Sequence, residues 1–408
     1  MNTARSSHTS NLILSSSRDG MRHALSCSSH PAWILVDKAI IRTASILITQ
    51  VMIVGSLVGL NGCNQPNATS TPLESVETTV ALEKAEALES AGAKINRDAS
   101  SGLITSINLV AVEINDQLAD SLTQLKGLKS LALGNSVMSE QGWFHVGKLS
   151  GLEQLDLRAC PVTNAELAAA VSGMSKLRAL RMSGANEQTG VDDDGLSALS
   201  NCPDLRVLAA DFLWVSEVGL QHLQAAESLS ELYLKGTLVS DDSMETIAHW
   251  SKLRKLRLAA TSISTAGLEK IAKLPLVDLD LSECSQLGDD SLVPVSQMSG
   301  LERLNLWRDA ITDVGLQHLA GLQHMQWLNL DNTLVSNTGL DSVAKMPELN
   351  FLHLGSTTVS DEGLSKLFGL KKLEKIDAAR SAISESGVAE LTKALPKCSV
   401  NLKYGGEP

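Results

Sequence analysis

The chain has 408 residues, of which 43% are hydrophobic and only 3% aromatic, and its formal net charge is −12. This acidic balance argues against broad nucleic-acid binding, because a phosphate-binding surface needs a basic face. The length alone would predict two or three globular domains, but an array of short repeats removes that inference, since each repeat buries its core only against its neighbours.

The N-terminal region predicts an export signal rather than a domain. Residues 1–37 are rich in Ser and His and predict either a disordered leader or a start codon assigned too far upstream, with Met21 as the alternative start. Residues 38–62 hold a basic beginning, an apolar stretch and a small residue before Cys63, which is the pattern of a cleaved secretory signal.

The ending Leu60-Asn61-Gly62-Cys63 resembles the lipobox of bacterial lipoproteins. The resemblance implies that a peptidase cuts before Cys63 and that its thiol carries a diacylglycerol. The alternative is an uncleaved signal anchor, since residues 43–60 carry no charge and are just long enough to span a bilayer. Under both interpretations residues 64–408 are exported. Residues 63–77 are rich in Pro, Ser, Thr and Asn and predict a flexible tether.

Residues 78–103 predict an N-terminal cap made of a helix and a hairpin. Leu82, Ala85 and Leu88 have helical spacing. Gly92 is placed to end that helix, and two alternating stretches follow on either side of a Ser-rich turn. An atypical first unit of this kind gives a solenoid its polar terminal cover.

A pattern of leucines returns about every 24 residues from Ile104 to Leu395. Each unit begins like a strand with one buried face and continues through a polar turn into leucines spaced as in a helix. The units begin at Ile104, Leu128, Leu152, Leu177, Leu205, Leu229, Leu253, Leu276, Leu301, Met325, Leu349 and Leu373. Self-similarity at a fixed short period predicts a solenoid.

The strand segments, such as LERLNL at 301–306, resemble leucine-rich repeats, and the segments T-x-V/I-S/T-D-x-G-L make the chain similar to bacterial leucine-rich repeat lipoproteins. The resemblance implies an α/β solenoid, or horseshoe, of about twelve repeats over residues 104–395. A parallel sheet would form its concave face and short helices its convex face. Residues 396–408 predict one last strand, at 399–402, and a tail.

Polar residues between strand and helix recur in the same places. A hydroxyl after the strand predicts a hydrogen bond to a buried backbone carbonyl, at Ser136, Thr237, Thr261, Thr333, Thr357 and Ser381. Cys160 and Cys284 occupy the same slot and predict buried free thiols. Ser or Thr before the helix predicts an N-cap, with an acid next to it that favours the helix dipole. A glycine in the first helical turn, such as Gly267, predicts close approach between units.

The sequence contains no nucleophile elbow, metalloprotease motif, phosphate loop or dinucleotide fingerprint. Its six cysteines form no C-x-x-C pair, and residues 191–195 lack the alternating acids of a calcium loop. We therefore predict no enzyme, no cofactor and no metal.

Equivalent strand positions predict lateral columns on the exposed sheet, because neighbouring strands lie about 4.8 Å apart. One column runs through Asp156, Arg181, Ala209, Tyr233, Arg257, Asp280, Asn305, Asn329, His353 and Asp377. Within it, Asp156 and Arg181 predict a cross-strand ion pair. Arg257 and Asp280 predict a second one.

Aromatic and basic residues from consecutive units are predicted to share one exposed part of the sheet: Arg303, Trp307, Arg308, Trp327, Phe351 and His353. Aromatics and Arg dominate interface energies, so this cluster is the predicted partner-binding site. The alternative is that the rings only pack against one another and cover the sheet. A second patch is predicted at Phe212, Trp214 and Tyr233.

The sequence thus predicts a non-catalytic, exported and lipid-anchored protein, on the periplasmic side of a membrane or at the surface of a bacterium. Its concave face is predicted to bind a protein, with a glycan as the second ligand class and no nucleic acid. One alternative is a passive structural protein of the cell envelope without a specific partner. A more remote one is a ubiquitin-ligase-type adaptor, which the export signal disfavours.

Overall fold

The computed structural model describes residues 83–403. The predicted leader at 1–37, the signal at 38–62, the lipidation site Cys63 and the tether at 63–77 lie outside the described residues, as do residues 404–408. Within the described part of the chain, no helix is long and apolar enough to cross a membrane.

The described residues form one long sheet whose strands follow each other in chain order. The first two strands pair antiparallel, and the later neighbours are parallel. Its strands are β1 (Lys94–Arg97), β2 (Ile104–Asn108), β4 (Ser130–Ala132), β6 (Gln154–Asp156), β7 (Ala179–Ser183), β8 (Val207–Asp211), β9 (Glu231–Tyr233), β10 (Lys255–Arg257), β11 (Asp278–Asp280), β12 (Arg303–Asn305), β13 (Trp327–Asn329), β14 (Phe351–His353), β15 (Lys375–Asp377) and β16 (Ser399–Asn401). A separate short pair joins β3 (Glu113–Ile114) to β5 (Val137–Met138).

Short helices lie between successive strands. They are α1 (83–90), α2 (Asp116–Thr123), α3 (Glu140–Gly147), α4 (Asn164–Val171), α5 (Asp193–Leu196), α6 (Glu217–Gln221), α7 (Ser243–Ala248), α8 (Thr265–Ile271), α9 (Leu292–Ser296), α10 (Asp313–Leu319), α11 (Leu340–Val343), α12 (Asp361–Ser365) and α13 (Glu385–Ala394). Single 3-10 turns occur at Ser197–Asn201, Asp289–Ser291, Asn337–Gly339 and Lys366–Gly369.

The core is a stack of similar layers, and the unit around β12 illustrates one of them. Leu301, Leu304 and Leu306 of the strand segment are completely buried, and so are Ile311 in the turn and Leu316 in α10. Burial of one such side chain contributes ~1.5–3 kcal/mol, and each layer buries its leucines against the layers on both sides. The predicted α/β solenoid, with a parallel sheet on one face and short helices on the other, is confirmed.

The predicted hydroxyl and thiol contacts beneath the turns are present. Thr333 Oγ1 donates to the carbonyl of Leu330 at 2.7 Å, and the other hydroxyls in this position also donate to a buried carbonyl. Cys284 is a buried free thiol whose Sγ lies 3.1 Å from the carbonyl oxygen of Leu258. The side chains at this position of the repeat therefore donate hydrogen bonds to backbone carbonyls that water does not reach.

The unit of β12 departs from this rule because Asp309 fills the slot. The preceding unit has one extra residue between Cys284 and Leu287, and Asp309 Oδ1 accepts a hydrogen bond from the Cys284 N–H at 3.0 Å. The side chain is buried, and its Oδ2 has no hydrogen-bond partner among the described residues. Burial raises the pKa of Asp309 to about 8, and the nearby charges of Asp280 and Glu283 act in the same direction.

On the helix side, an acid from each of five units accepts hydrogen bonds from the residue that precedes the helix of the next unit. Asp241 accepts hydrogen bonds from the backbone N–H of Ser264 at 2.7 Å and from its hydroxyl at 2.5 Å. The same two bonds recur from Ser216 to Asp193, Thr312 to Asp289, Ser336 to Asp313 and Ser384 to Asp361. These acids, predicted only to favour the helix dipole, therefore also join neighbouring repeats through charged hydrogen bonds.

Most predicted N-caps are present in addition to this contact. Ser264 Oγ accepts a hydrogen bond from the Ala266 N–H at 3.2 Å, and Thr163 forms a capping box with Glu166. Ser240 and Ser360 are exceptions. Helix α7 begins only at Ser243, so Ser240 does not cap it, and Ser360 precedes α12 but its side chain accepts no capping hydrogen bond.

The glycine of the first helical turn is required by the same acids, or by an Asn in the equivalent position. A Cβ on Gly267 would lie 2.3 Å from Asp241 Oδ1, closer than any real contact of that kind. The equivalent distances to the preceding Asp or Asn are 2.1–2.5 Å at Gly195, Gly219, Gly315, Gly339, Gly363 and Gly387. The predicted close approach is confirmed, and the approaching group is a side chain of the preceding repeat.

Candidate functional site

The exposed sheet face is organised into the lateral columns expected from the repeat. The strand pairings place Tyr233 beside Arg257, Asp280 beside Asn305, and His353 beside Asp377. Equivalent residues of successive units are therefore neighbours, as predicted.

Of the two predicted ion pairs, only one is present. Arg257 Nε lies 3.3 Å from Asp280 Oδ2, and its Nη1 lies 3.1 Å from Asp211. The pair between Asp156 and Arg181 is wrong, because Arg158 from the following turn reaches back to Asp156, with Nη2 2.6 Å from Oδ2. Arg181 makes no ion pair within residues 83–403.

Four side chains at the first position of adjacent strands form what we call the aromatic column: Arg303, Trp327, Phe351 and Lys375. The Arg303 guanidinium lies 4.5 Å from the Trp327 ring centroid, and Lys375 Nζ lies 4.6 Å from the Phe351 centroid. The two rings meet edge to face at 6.2 Å. Each ring thus has a cation on its outer side, an attractive arrangement for a π face.

His353 completes this cluster from the neighbouring column. Its ring stacks on Phe351 at 4.3 Å and meets Trp327 edge-on at 5.1 Å. Its Nδ1 lies 3.6 Å from Asp331 Oδ2 and 3.8 Å from Asp377 Oδ2. A protonated imidazole at this point would therefore be paired with two carboxylates.

Acids also hold the two cations of the aromatic column in place. Arg303 Nε lies 3.4 Å from Asp278 Oδ2, and Lys375 Nζ lies 3.2 Å from Asp377 Oδ2. Exposed pairs of this kind add little stability, but they restrict the rotamers of both long side chains. The sequence interpretation missed Lys375, although its position exactly one 24-residue period after Phe351 could have revealed it.

Trp307 and Arg308 do not lie on the sheet, which corrects the prediction. Strand β12 ends at Asn305, so both residues belong to the turn that follows, and Arg308 has a left-handed backbone with φ 63°. Arg308 lies over the Trp307 ring at 5.2 Å and pairs with Glu283 at 3.2 Å. Within the described residues, no ring contact joins Trp307 to Trp327.

The rings of the aromatic column are half-buried rather than freely exposed. They pack against one another and against His353, as the alternative interpretation expected. The outcome is an ordered, amphipathic surface whose side chains are already held in position.

The residues of the second predicted patch also do not all lie on the sheet, because two of them come after the end of a strand. Tyr233 lies within β9, where its hydroxyl donates to Glu231 Oε2 at 2.7 Å and Arg257 covers its ring. Burial and the Glu231 charge raise the pKa of this phenol. A groove of 170 Å³ lined by Tyr233, Arg257, Arg303 and Trp327 connects Tyr233 to the aromatic column. Phe212 and Trp214 instead follow the end of β8 at Asp211.

Groups suited to chemistry are scarce on this surface. Across residues 83–403, no group of three His, Cys, Asp or Glu side chains is placed to hold a metal ion. The Cys284 thiol is buried, and this burial raises its pKa to about 11. The arrangement is suited to binding through aromatic, cationic and amide side chains.

Known proteins share this architecture. A family model described as Leucine Rich repeat matches residues 346–368. A chain of the Rad7 and Elc1 complex from yeast aligns with a TM-score of 0.56 at 15% identity, covering 82% of this chain and 89% of that one. An internalin from Listeria monocytogenes aligns with a TM-score of 0.45 at 16% identity, covering 79% and 94%. No curated protein sequence matches the chain significantly.

The chain has the leucine-rich repeat fold. One of its units matches the family model, and its stacked parallel strands and short helices have the fold of the yeast structure. Stacked repeats of this kind create an extended surface that is available for binding.

Proposed function

We propose that this protein is an exported, lipid-anchored recognition protein that binds another protein through the aromatic column and His353. The observation that carries the proposal is the ordered cluster of two aromatic rings, two cations and an imidazole on the open sheet face. Aromatic and Arg side chains supply most of the binding energy in protein interfaces.

The order of this surface supports the proposal. Side chains that are already held by ring contacts and ion pairs lose less conformational freedom when a partner binds. The adjoining groove, lined by Tyr233 and Arg257, extends the same surface across neighbouring strands. The yeast structure that shares the fold is itself a complex of two proteins.

A photo-crosslinking amino acid at Asn329, which lies beside His353 in the column next to the aromatic column, tests the proposal in intact cells. We expect it to capture a discrete protein, and Trp327→Ala with Phe351→Ala to reduce the yield about tenfold or more, because interface anchors each contribute ~2 kcal/mol or more. Val314→Ala, an exposed apolar residue of α10 on the helix side, is the matched control and should have no effect.

Other results of the crosslinking experiment would favour a different ligand class, a structural protein or a different binding site. A captured species that stains as glycan and contains no polypeptide would reassign the ligand class. The absence of any specific product would favour a passive structural protein. Undiminished capture by the double variant would reject the aromatic column as the site.

The anchoring part of the proposal rests on residues 38–62 and Cys63, whose sequence resembles a lipoprotein signal. In a bacterial host fed a labelled fatty acid, we expect the full chain to carry label. Cys63→Ser should lose the label because no thiol remains to be modified, whereas Cys27→Ser should keep it. Equal labelling of the Cys63→Ser variant would contradict the assignment of the lipid to this residue.

A further inference from the structure

A second exposed surface lies beside the turns that follow the strands. Trp214 follows β8, is 68% exposed and forms a backbone bridge with Asp192 of the long loop before it. Leu238, at the equivalent position one repeat later, is 53% exposed, and its N–H donates to the Val215 carbonyl at 2.9 Å. Phe212 is 42% exposed. We call Trp214, Leu238 and Phe212 the rim patch.

Trp214 differs from the other surface aromatics in having no cation of its own. A Lys or Arg lies 4.5–5.9 Å from the ring centroid of Phe144, Phe212, Tyr233, Trp307, Trp327 and Phe351. Trp143, Trp250 and Phe368 pack in or against the core. Among the described residues, none places a cation over Trp214, although indole is the most favourable ring for that interaction.

The segments around the rim patch are strongly acidic. Residues 184–194, 211–218 and 236–246, from three successive units, contain nine Asp and Glu and no Lys or Arg. Asp193 and Asp241 accept hydrogen bonds from the hydroxyls of Ser216 and Ser264, which leave the negative charge in place, whereas Asp211 is paired with Arg257 at 3.1 Å. Lys235, which lies over Phe212, is paired with Glu283 at 3.2 Å.

We propose that the rim patch binds a polypeptide segment that carries both Lys or Arg and apolar side chains. A cation of the segment would lie over the free face of Trp214, while its apolar side chains cover Leu238 and Phe212. The surrounding carboxylates attract the same segment and raise its rate of association. This surface is separate from the aromatic column, so the inference does not depend on the proposed function.

The negative charge of the chain also argues against two other binding partners for the rim patch. A second copy of this chain would bring another acidic body, since the net charge is −12. An anionic membrane surface would be repelled by the same carboxylates. A basic, amphipathic partner is the occupant that matches both the uncovered ring and the field around it.

The test measures binding of three synthetic peptides of equal length to the full chain by calorimetry. They contain alternating Lys and Leu, alternating Glu and Leu, and alternating Lys and Ser. We expect the Lys/Leu peptide to bind, the Glu/Leu peptide not to bind, and the Lys/Ser peptide to bind about tenfold or more weakly, because charge and apolar area are both needed.

Variants of the protein test where the Lys/Leu peptide binds. Trp214→Ala should weaken binding of the Lys/Leu peptide about tenfold or more, as expected for an interface anchor. Leu334→Ala is the matched control, because Leu334 is 66% exposed at the equivalent turn position further along the stack. The Trp327→Ala and Phe351→Ala double variant should bind the peptide as the parent does, which keeps this inference distinct from the proposed function.

Three results would overturn the inference. They are equal binding of the Glu/Leu peptide, unchanged affinity of Trp214→Ala, and self-association of the full chain that Trp214→Ala abolishes. Circular dichroism of Trp214→Ala should match the parent, because an exposed ring makes little contribution to folding.

Discussion

The free energy of unfolding is expected to fall as the pH rises from about 4 to about 8, because Asp309 holds its proton in the folded state. Its pKa is raised to about 8 by burial, whereas an unfolded chain loses that proton near the ordinary value of 3.8. Between these two values the folded state binds more protons, so stability decreases by up to ~1.4 kcal/mol per pH unit. Below pH 4 and above pH 8 this contribution is constant.

Asp309→Asn is the control for this prediction, since the amide is nearly isosteric and does not titrate. Its Oδ1 can still accept the Cys284 N–H, so the fold is retained. Urea unfolding of both proteins at one-unit pH intervals gives the difference between them and cancels the titration of groups that do not interact with Asp309. Parallel stability curves for the two proteins would contradict a buried, protonated Asp309.

Gly267→Ala is expected to destabilise the protein by ~3–5 kcal/mol. The new Cβ would lie 2.3 Å from Asp241 Oδ1 and 3.0 Å from Met244 Cγ, so the carboxylate must move. Overpacking costs ~1–3 kcal/mol, and displacement of Asp241 also weakens its two hydrogen bonds from Ser264, each worth ~1.5–3 kcal/mol when a charge is involved. Thermal or chemical unfolding measures the loss.

Two further variants separate this collision from the general effect of removing a glycine. Gly321→Ala has no atom within 4 Å of the new Cβ and should change stability by less than ~1 kcal/mol. In an Asp241→Ala background, Gly267→Ala should cost much less, because the colliding carboxylate is gone. A cost that is the same in both backgrounds would show that Asp241 is not the reason for the glycine.

The candidate site was partly predictable because the repeat length determines lateral neighbours. Arg303, Trp327 and Phe351 lie at one strand position in consecutive units, so their grouping follows from the register alone. Trp307 was misplaced because the sequence pattern does not reveal that β12 contains only three residues. The turn begins at residue 307, two residues after the strand ends.

The length of the strands also explains the division of the second patch. Tyr233 lies within its strand, whereas Trp214 comes after the end of β8. The difference matters because side chains on the sheet meet neighbours on both sides, and those beyond the strand meet fewer. Tyr233 is covered by Arg257 from the adjacent strand, whereas no cation lies over Trp214 among the described residues.

The sequence by itself determined the solenoid, its buried leucines and the columns of the sheet, because these depend on a period that every unit repeats. Only the tertiary structure decided which side chains meet between units. The bonds from Ser264 to Asp241, the burial of Asp309 against Cys284 and the uncovered face of Trp214 all depend on distances of a few ångströms between adjacent layers. Spacing along a chain specifies which layers are neighbours, but not the backbone path and rotamers that determine these distances.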